Sequence, residues 1–162
     1  MSIVARRGTP IIFFTMVLSL MLTIMPLPTW AEEIRPHFVL MAVVYWSMAL
    51  PHRVNIGIAW VMGLLLDVSY DAVLGQYALA LALIAFFTVN LHQRLRVFPV
   101  WQQAIVVFVF SMLYSLIVLW IKGITGTAPS VWTIITPCFT TAVLWPGVFM
   151  FLRKLRRIYS VS

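Results

Sequence analysis

Pro51-His52-Arg53-Val54-Asn55-Ile56-Gly57-Ile58-Ala59-Trp60-Val61-Met62-Gly63-Leu64-Leu65-Leu66-Asp67, continuing through Val68-Ser69-Tyr70-Asp71-Ala72-Val73-Leu74 to Gly75, sets the architecture of this chain. The segment opens on a proline and a basic pair and then runs apolar to a carboxylate. Asn55, Ala59, Gly63 and Asp67 recur every four residues. Such spacing places them along one face of a helix. Ala59 and Gly63 are small enough for another helix to approach closely, as small residues allow within membranes. By helical rise, Asp67 lies about 21 Å beyond Arg53. The apolar run 36–50 just before it has two possible relations to this helix. Either both cross a membrane, or they form a re-entrant hairpin. A hairpin would leave Arg53 near the bilayer midplane, at a cost of at least about 3 kcal/mol. We therefore read two full crossings, 36–50 and 54–68. Both are short, at about 22 Å of helix each, so they thin the bilayer or bury their ends against neighbours.

Working outward, apolar runs delimit four more spans at about 10–27, 72–91, 101–121 and 131–152. Pro10 suits a first helical turn, and Pro26 and Pro28 close that first span. Pro137 and Pro146 fall inside the last span and are expected to bend it, with Thr133 taking up displaced hydrogen bonding. The expected fold is all-α: one polytopic membrane domain of about six helices. Composition agrees. The chain of 162 residues is 63% hydrophobic and 9% charged, far below the roughly one quarter charged in soluble domains. The start also has features of a secretory signal, with Thr29-Trp30-Ala31 as a conceivable cleavage site. Its apolar run is long for a signal core and the site is a poor match, so an uncleaved first helix is expected.

Charge supplies the orientation. With six spans, Arg6, Arg7, Arg53, Arg94, Arg96, Arg153, Lys154, Arg156 and Arg157 share one side. The other side holds Arg35, Lys122 and all four acids, Glu32, Glu33, Asp67 and Asp71. The basic side is cytoplasmic by the positive-inside rule, which puts both termini there. The net charge of +7 is accounted for by these flanking clusters, which argues against nucleic acid as a partner. Anionic lipid explains the cluster at 153–157.

Catalytic signatures are missing: there is no His-Glu-x-x-His, no phosphate-cradling glycine loop and no Gly-x-Ser-x-Gly elbow. His37, His52 and His92 each sit beside a helix end without a second ligand at metal spacing, so neither an enzyme, a metal nor a cofactor is expected. Cys138 and the Ser111–Ser115 pair read as packing residues. Trp30, Trp101, Trp120 and Trp132 fall where interfacial aromatics collect, whereas Trp46, Trp60 and Trp145 sit deeper. Asp67 has two readings: it binds a partner or lines a cavity, or it caps the neighbouring turn. Arg53 is a headgroup anchor or a partner contact. The candidate partner or cavity residues are therefore Arg53, Asn55, Gly57, Ala59, Gly63, Asp67, Asp71 and Gly75.

The runs Arg35-Pro36-His37-Phe38-Val39-Leu40, Tyr45-Trp46, Ala49-Leu50-Pro51-His52-Arg53-Val54-Asn55-Ile56-Gly57 and Gly63-Leu64-Leu65-Leu66-Asp67 together resemble the rod shape-determining MreD family. So do Val73-Leu74-Gly75, Trp101-Gln102-Gln103-Ala104 and Val143-Leu144-Trp145-Pro146. The resemblance implies an inner-membrane component of the bacterial elongation machinery. It implies work with the bitopic MreC, the actin-like MreB, and the glycan polymerase RodA with its class B transpeptidase. It also implies a fold similar to the substrate-binding subunits of energy-coupling-factor vitamin transporters. A scaffold that binds MreC and a small-molecule or lipid binder are the two functions it leaves in view.

Overall fold

The computed structural model describes residues 8–127 and 129–159, and Arg6 and Arg7 lie outside them. Among the described residues there are seven helices. They are α1 (Thr9–Ile24), α2 (Thr29–Glu32), α3 (Phe38–Ala49), α4 (Ile56–Ser69), α5 (Gln76–Val97), α6 (Val100–Ile124) and α7 (Val131–Ile158). Three of them, α5, α6 and α7, are long and apolar enough to cross a membrane, while α1, α3 and α4 are shorter apolar helices. The short α2, just after the first span, was not anticipated.

Local chemistry accounts for the boundaries. Pro10 stands in the first turn of α1, where its missing N–H costs nothing. α3 stops before Pro51. Asn55 caps α4, its side chain accepting the Gly57 amide at 3.1 Å. α5 begins at Gln76, four residues later than the sequence reading placed it, because Asp71 (φ 51°) and Gly75 (φ 98°) turn the chain in the left-handed region first. Glycine takes that conformation without strain. α7 runs unbroken through Pro137 and Pro146. Thr133 does not relieve the first of these, since its hydroxyl pairs with Ser130 Oγ at 2.8 Å. Thr141 Oγ1 donates to the Pro137 carbonyl at 2.6 Å, one turn further along, and so does not reach the Thr133 carbonyl that Pro137 leaves free.

The core is organised around α3. Every residue of that helix except Phe38 is buried, and α1, α5, α6 and α7 all pack on it. Its 12 residues span only about 18 Å, so the walls around it extend further than it does. α4 packs chiefly on α5, and α6 on α7. Outward-facing side chains are apolar, among them Phe13, Trp60, Val109 and Val143, which is the arrangement that lipid rather than water favours.

Hydrogen bonds tie the bundle together where apolar packing has no directional preference. Trp46, fully buried on α3, donates through Nε1 to Thr15 Oγ1 on α1 at 2.9 Å. Trp145 donates to Gln103 Oε1 at 3.4 Å. Arg96 donates to the Met48 carbonyl at 2.9 Å and to that of Ala49, closing the C-terminus of α3. Arg35 does the same for the end of α1, through the carbonyls of Thr23 and Met25. A Thr15→Val substitution should lower stability by about 1 kcal/mol, the scale of an interhelical hydrogen bond in a membrane bundle. Thr15→Ser, which keeps the acceptor, should unfold near the parent temperature in a detergent melt. Equal melting of the parent and Thr15→Val would show that the contact is energetically silent.

Candidate functional site

The bundle has two chemically unlike ends. One gathers Arg53, Arg94, Arg96 and the 153–157 cluster. The other gathers the C-termini of α1, α4 and α6, the N-termini of α3, α5 and α7, and three exposed acids, Glu32, Glu33 and Asp71. Because α3 is shorter than its surroundings, its start lies below the rim at this acid-rich end. The space above it is an open cavity of about 970 Å³.

Residues from every helix except α5's far half and the body of α1 reach this space, and they fall into three groups. The floor is the first turn of α3, with His37, Val39 and Leu40. One wall is a row of rings. His37 and Tyr114 meet edge-on at 4.9 Å between centroids, Tyr114 and Tyr77 lie 6.0 Å apart, and Tyr77 and Tyr70 lie 5.4 Å apart. The mouth carries Glu32, Glu33, Asp71, Arg35 and Lys122. Ser115 Oγ shares a hydrogen bond with His37 Nε2 at 3.3 Å and lies 3.5 Å from Cys138 Sγ. The His37 amide donates to Thr141 Oγ1 at 3.0 Å. Gln76 lines the cavity from the first turn of α5. It is 3% exposed, and its buried Nε2 has no hydrogen-bond partner. Among the described residues, no three His, Cys, Asp or Glu side chains stand close enough to hold a metal ion.

Asp67 lies beside this cavity but is not part of its lining. It is fully buried, and its carboxylate is clamped by two backbone amides. Gly75 N–H donates to Oδ2 at 2.8 Å and Tyr77 N–H to Oδ1 at 2.7 Å. The Asp67 carbonyl also accepts the Ala72 amide at 2.9 Å. An anion at this point satisfies donors that the start of α5 cannot satisfy itself and complements the helix dipole. The geometry is thus that of the capping alternative, reached from one turn of chain away.

A family model for rod shape-determining protein MreD matches residues 6–155. The chain belongs to the MreD family. Its relatives in that family include the rod shape-determining protein MreD of Haemophilus influenzae, 30% identical over 141 residues, which is 87% of each chain. No solved structure matches.

The residues singled out in this MreD-family chain separate into three sets. Ala59, Gly63 and Asp67 face inward and are engaged within the α4–α5 pair, whereas Asn55 is exposed and caps α4. Ala59 is fully buried, and a Cβ added at Gly63 would lie 2.2 Å from Ala78 Cα. Gly75 shapes the turn between these helices. Asp71 alone of the eight lines the cavity. Arg53 and Gly57 lie at the opposite end, by the start of α4, Gly57 exposed and Arg53 half-buried. Of the cavity residues, sequence reasoning took His37 for a residue beside a helix end and Ser115 for packing, and it passed over Gln76, Tyr77 and Tyr114. The only signal for them was a polar or amphipathic residue interrupting an apolar run close to its acid-side end.

Proposed function

We propose that this chain is a six-crossing inner-membrane scaffold for rod-shape determination, with both termini cytoplasmic. On this reading it binds the bitopic protein MreC. It thereby helps to couple MreB filaments to lateral peptidoglycan synthesis by RodA and its class B transpeptidase, and it performs no catalysis of its own. The observation that carries the reading is family membership over nearly the whole chain. The gathering of basic side chains at one end of the bundle supports the orientation. The physical basis for partner binding is a broad apolar flank on α1 and α4, where Phe13, Phe14, Trp60, Val61 and Val68 are exposed. A transmembrane anchor can pack there in place of lipid.

The test is co-purification with MreC from membranes, followed by crosslinking from Trp60 and Phe14 positions in cells. Association through either helix is the expected result. Failure to associate in detergent and in cells removes the scaffold reading. A reporter fused after Ser162 should be active in the cytoplasm, and periplasmic activity would reverse the orientation.

A second reading is favoured by one specific observation, the polar-lined cavity at the acid-rich end. Its volume of about 970 Å³ is in the range of small-molecule sites. The chain would then also serve as a small-molecule or lipid-binding subunit, like the vitamin-transporter subunits that the sequence resemblance implies.

A further inference from the structure

We propose that the cavity at the acid-rich end binds a small zwitterionic solute of the amino-acid or short-peptide class, its acceptor end against the start of α3 and its ammonium toward Glu32, Glu33 and Asp71. The inference rests on the second reading above, that the cavity is a binding site. Its own content is the chemistry of the occupant.

The deep end of the cavity is a set of donors. α3 begins at Phe38, so the amides of Val39 and Leu40 have no acceptor within their own helix. Both residues are buried and line the cavity. The two preceding amides are already engaged, His37 by Thr141 Oγ1 and Phe38 by the Pro36 carbonyl. Gln76 supplies an independent indication. Its side chain is 97% removed from solvent by the 3% exposure, it lines the same cavity, and its Nε2 is unpaired. A buried donor left without a partner is costly and calls for an acceptor. A carboxylate or peptide carbonyl placed over the start of α3 would provide one, in the field of the helix's positive end.

The mouth has the opposite preference. Three carboxylates line it against two cations, Arg35 and Lys122. Arg35 is engaged with the carbonyls of Thr23 and Met25. The row from Tyr70 through Tyr77 and Tyr114 to His37 offers ring faces and edges between the two poles. Such faces accept flat amide groups and attract an ammonium. A simple anion would meet the acidic mouth, and a simple cation would leave the deep donors unpaired. A solute with both charges answers both ends.

The test uses the purified full chain in nanodiscs and radiolabelled trialanine as probe, with N-acetyl-trialanine, trialanine amide and maltose as competitors. Trialanine should bind saturably, and each blocked peptide should compete at least about tenfold more weakly, a difference of about 1.4 kcal/mol. Gln76→Leu should weaken trialanine binding while leaving the melting temperature unchanged or raised, since it removes an unpaired donor. A merely structural role for Gln76 would lower both. Competition by maltose that matches or exceeds that of the blocked peptides would keep the cavity as a binding site and overturn the zwitterion assignment. Saturable binding neither of trialanine nor of radiolabelled maltose measured directly would overturn the assignment and the second reading together, leaving the scaffold reading untouched, and direct binding of maltose alone would overturn the assignment only.

Discussion

Gly63→Val should abolish recovery of folded protein, and Gly63→Ala should already lower the melting temperature severely. At this position α4 and α5 are in backbone contact. An added Cβ would lie 2.2 Å from Ala78 Cα, 2.5 Å from Ala78 N and 2.7 Å from the Tyr77 carbonyl oxygen. These are main-chain atoms and cannot rotate away, so the helices themselves must separate. Overpacking that moves side chains costs about 1–3 kcal/mol, and moving a helix costs more. The α4–α5 contact is the most extensive in the bundle, so its loss is felt throughout. Gly57→Ala is the control. Gly57 is exposed, and a Cβ there meets only Asn55 Oδ1 at 3.3 Å. Fluorescence-detected size exclusion and a thermal melt in detergent would separate the two variants. A Gly63→Ala protein as stable as Gly57→Ala would contradict the close crossing.

Asp67→Ala should cost about 3 kcal/mol, because it leaves two half-buried amides without an acceptor at once and each such loss is worth about 1–3 kcal/mol. Asp67→Asn keeps one carbonyl oxygen and should fall between alanine and parent. Asp71→Ala acts through a different route. Asp71 is exposed and makes no part of the clamp, but its φ of 51° disfavours alanine, for a penalty of roughly 1 kcal/mol. Asp71→Gly removes that penalty along with the carboxylate. Stability should therefore rank Asp71→Gly at or above parent, then Asp71→Ala, Asp67→Asn and Asp67→Ala. Complex assembly and cell shape should follow the same order in cells, since unfolded chains are degraded. Equal, parent-like behaviour of Asp67→Ala and Asp71→Ala would remove the distinction between the two acids.

How much of this was legible beforehand differs between the frame and the site. The helices were readable because prolines and charges interrupt the apolar runs. Pro51 and Asn55 separate α3 from α4, and Pro99 separates α5 from α6. The every-fourth-residue stripe pointed to a close helix approach, and Gly63 against Ala78 is such an approach. Which helix would fill that face was not readable, because Ala78 lies among other alanines at 80, 82 and 85. The start of α5 was misplaced because Ala72-Val73-Leu74 looks helical in composition, while the deciding residues are Asp71 and Gly75 with their left-handed backbone. The cavity was the least legible part. His37, Gln76 and Lys122 come from the ends of three different helices and Tyr114 from the middle of α6, and each alone is an ordinary polar or amphipathic residue in an apolar chain. Only the shortness of α3 brings them around one space, and shortness reveals a cavity only once the surrounding walls are known.

The central position of α3 also dictates an order of biogenesis. Residues 38–49 are synthesised early, yet α6 and α7 arrive only with the part of the chain from Val100 onward. Until translation nears its end, the side of α3 that those two helices will cover has no permanent neighbour, and Tyr45, whose ring meets Phe149 of α7 at 5.7 Å, must wait for its partner. The hairpin of α4 and α5, clamped by Asp67, is by contrast complete within 56–97 and can close while synthesis continues. A nascent chain arrested after α5 would then be compact on one side and unfinished at its centre, which makes the final helix the step that commits the protein to its folded state.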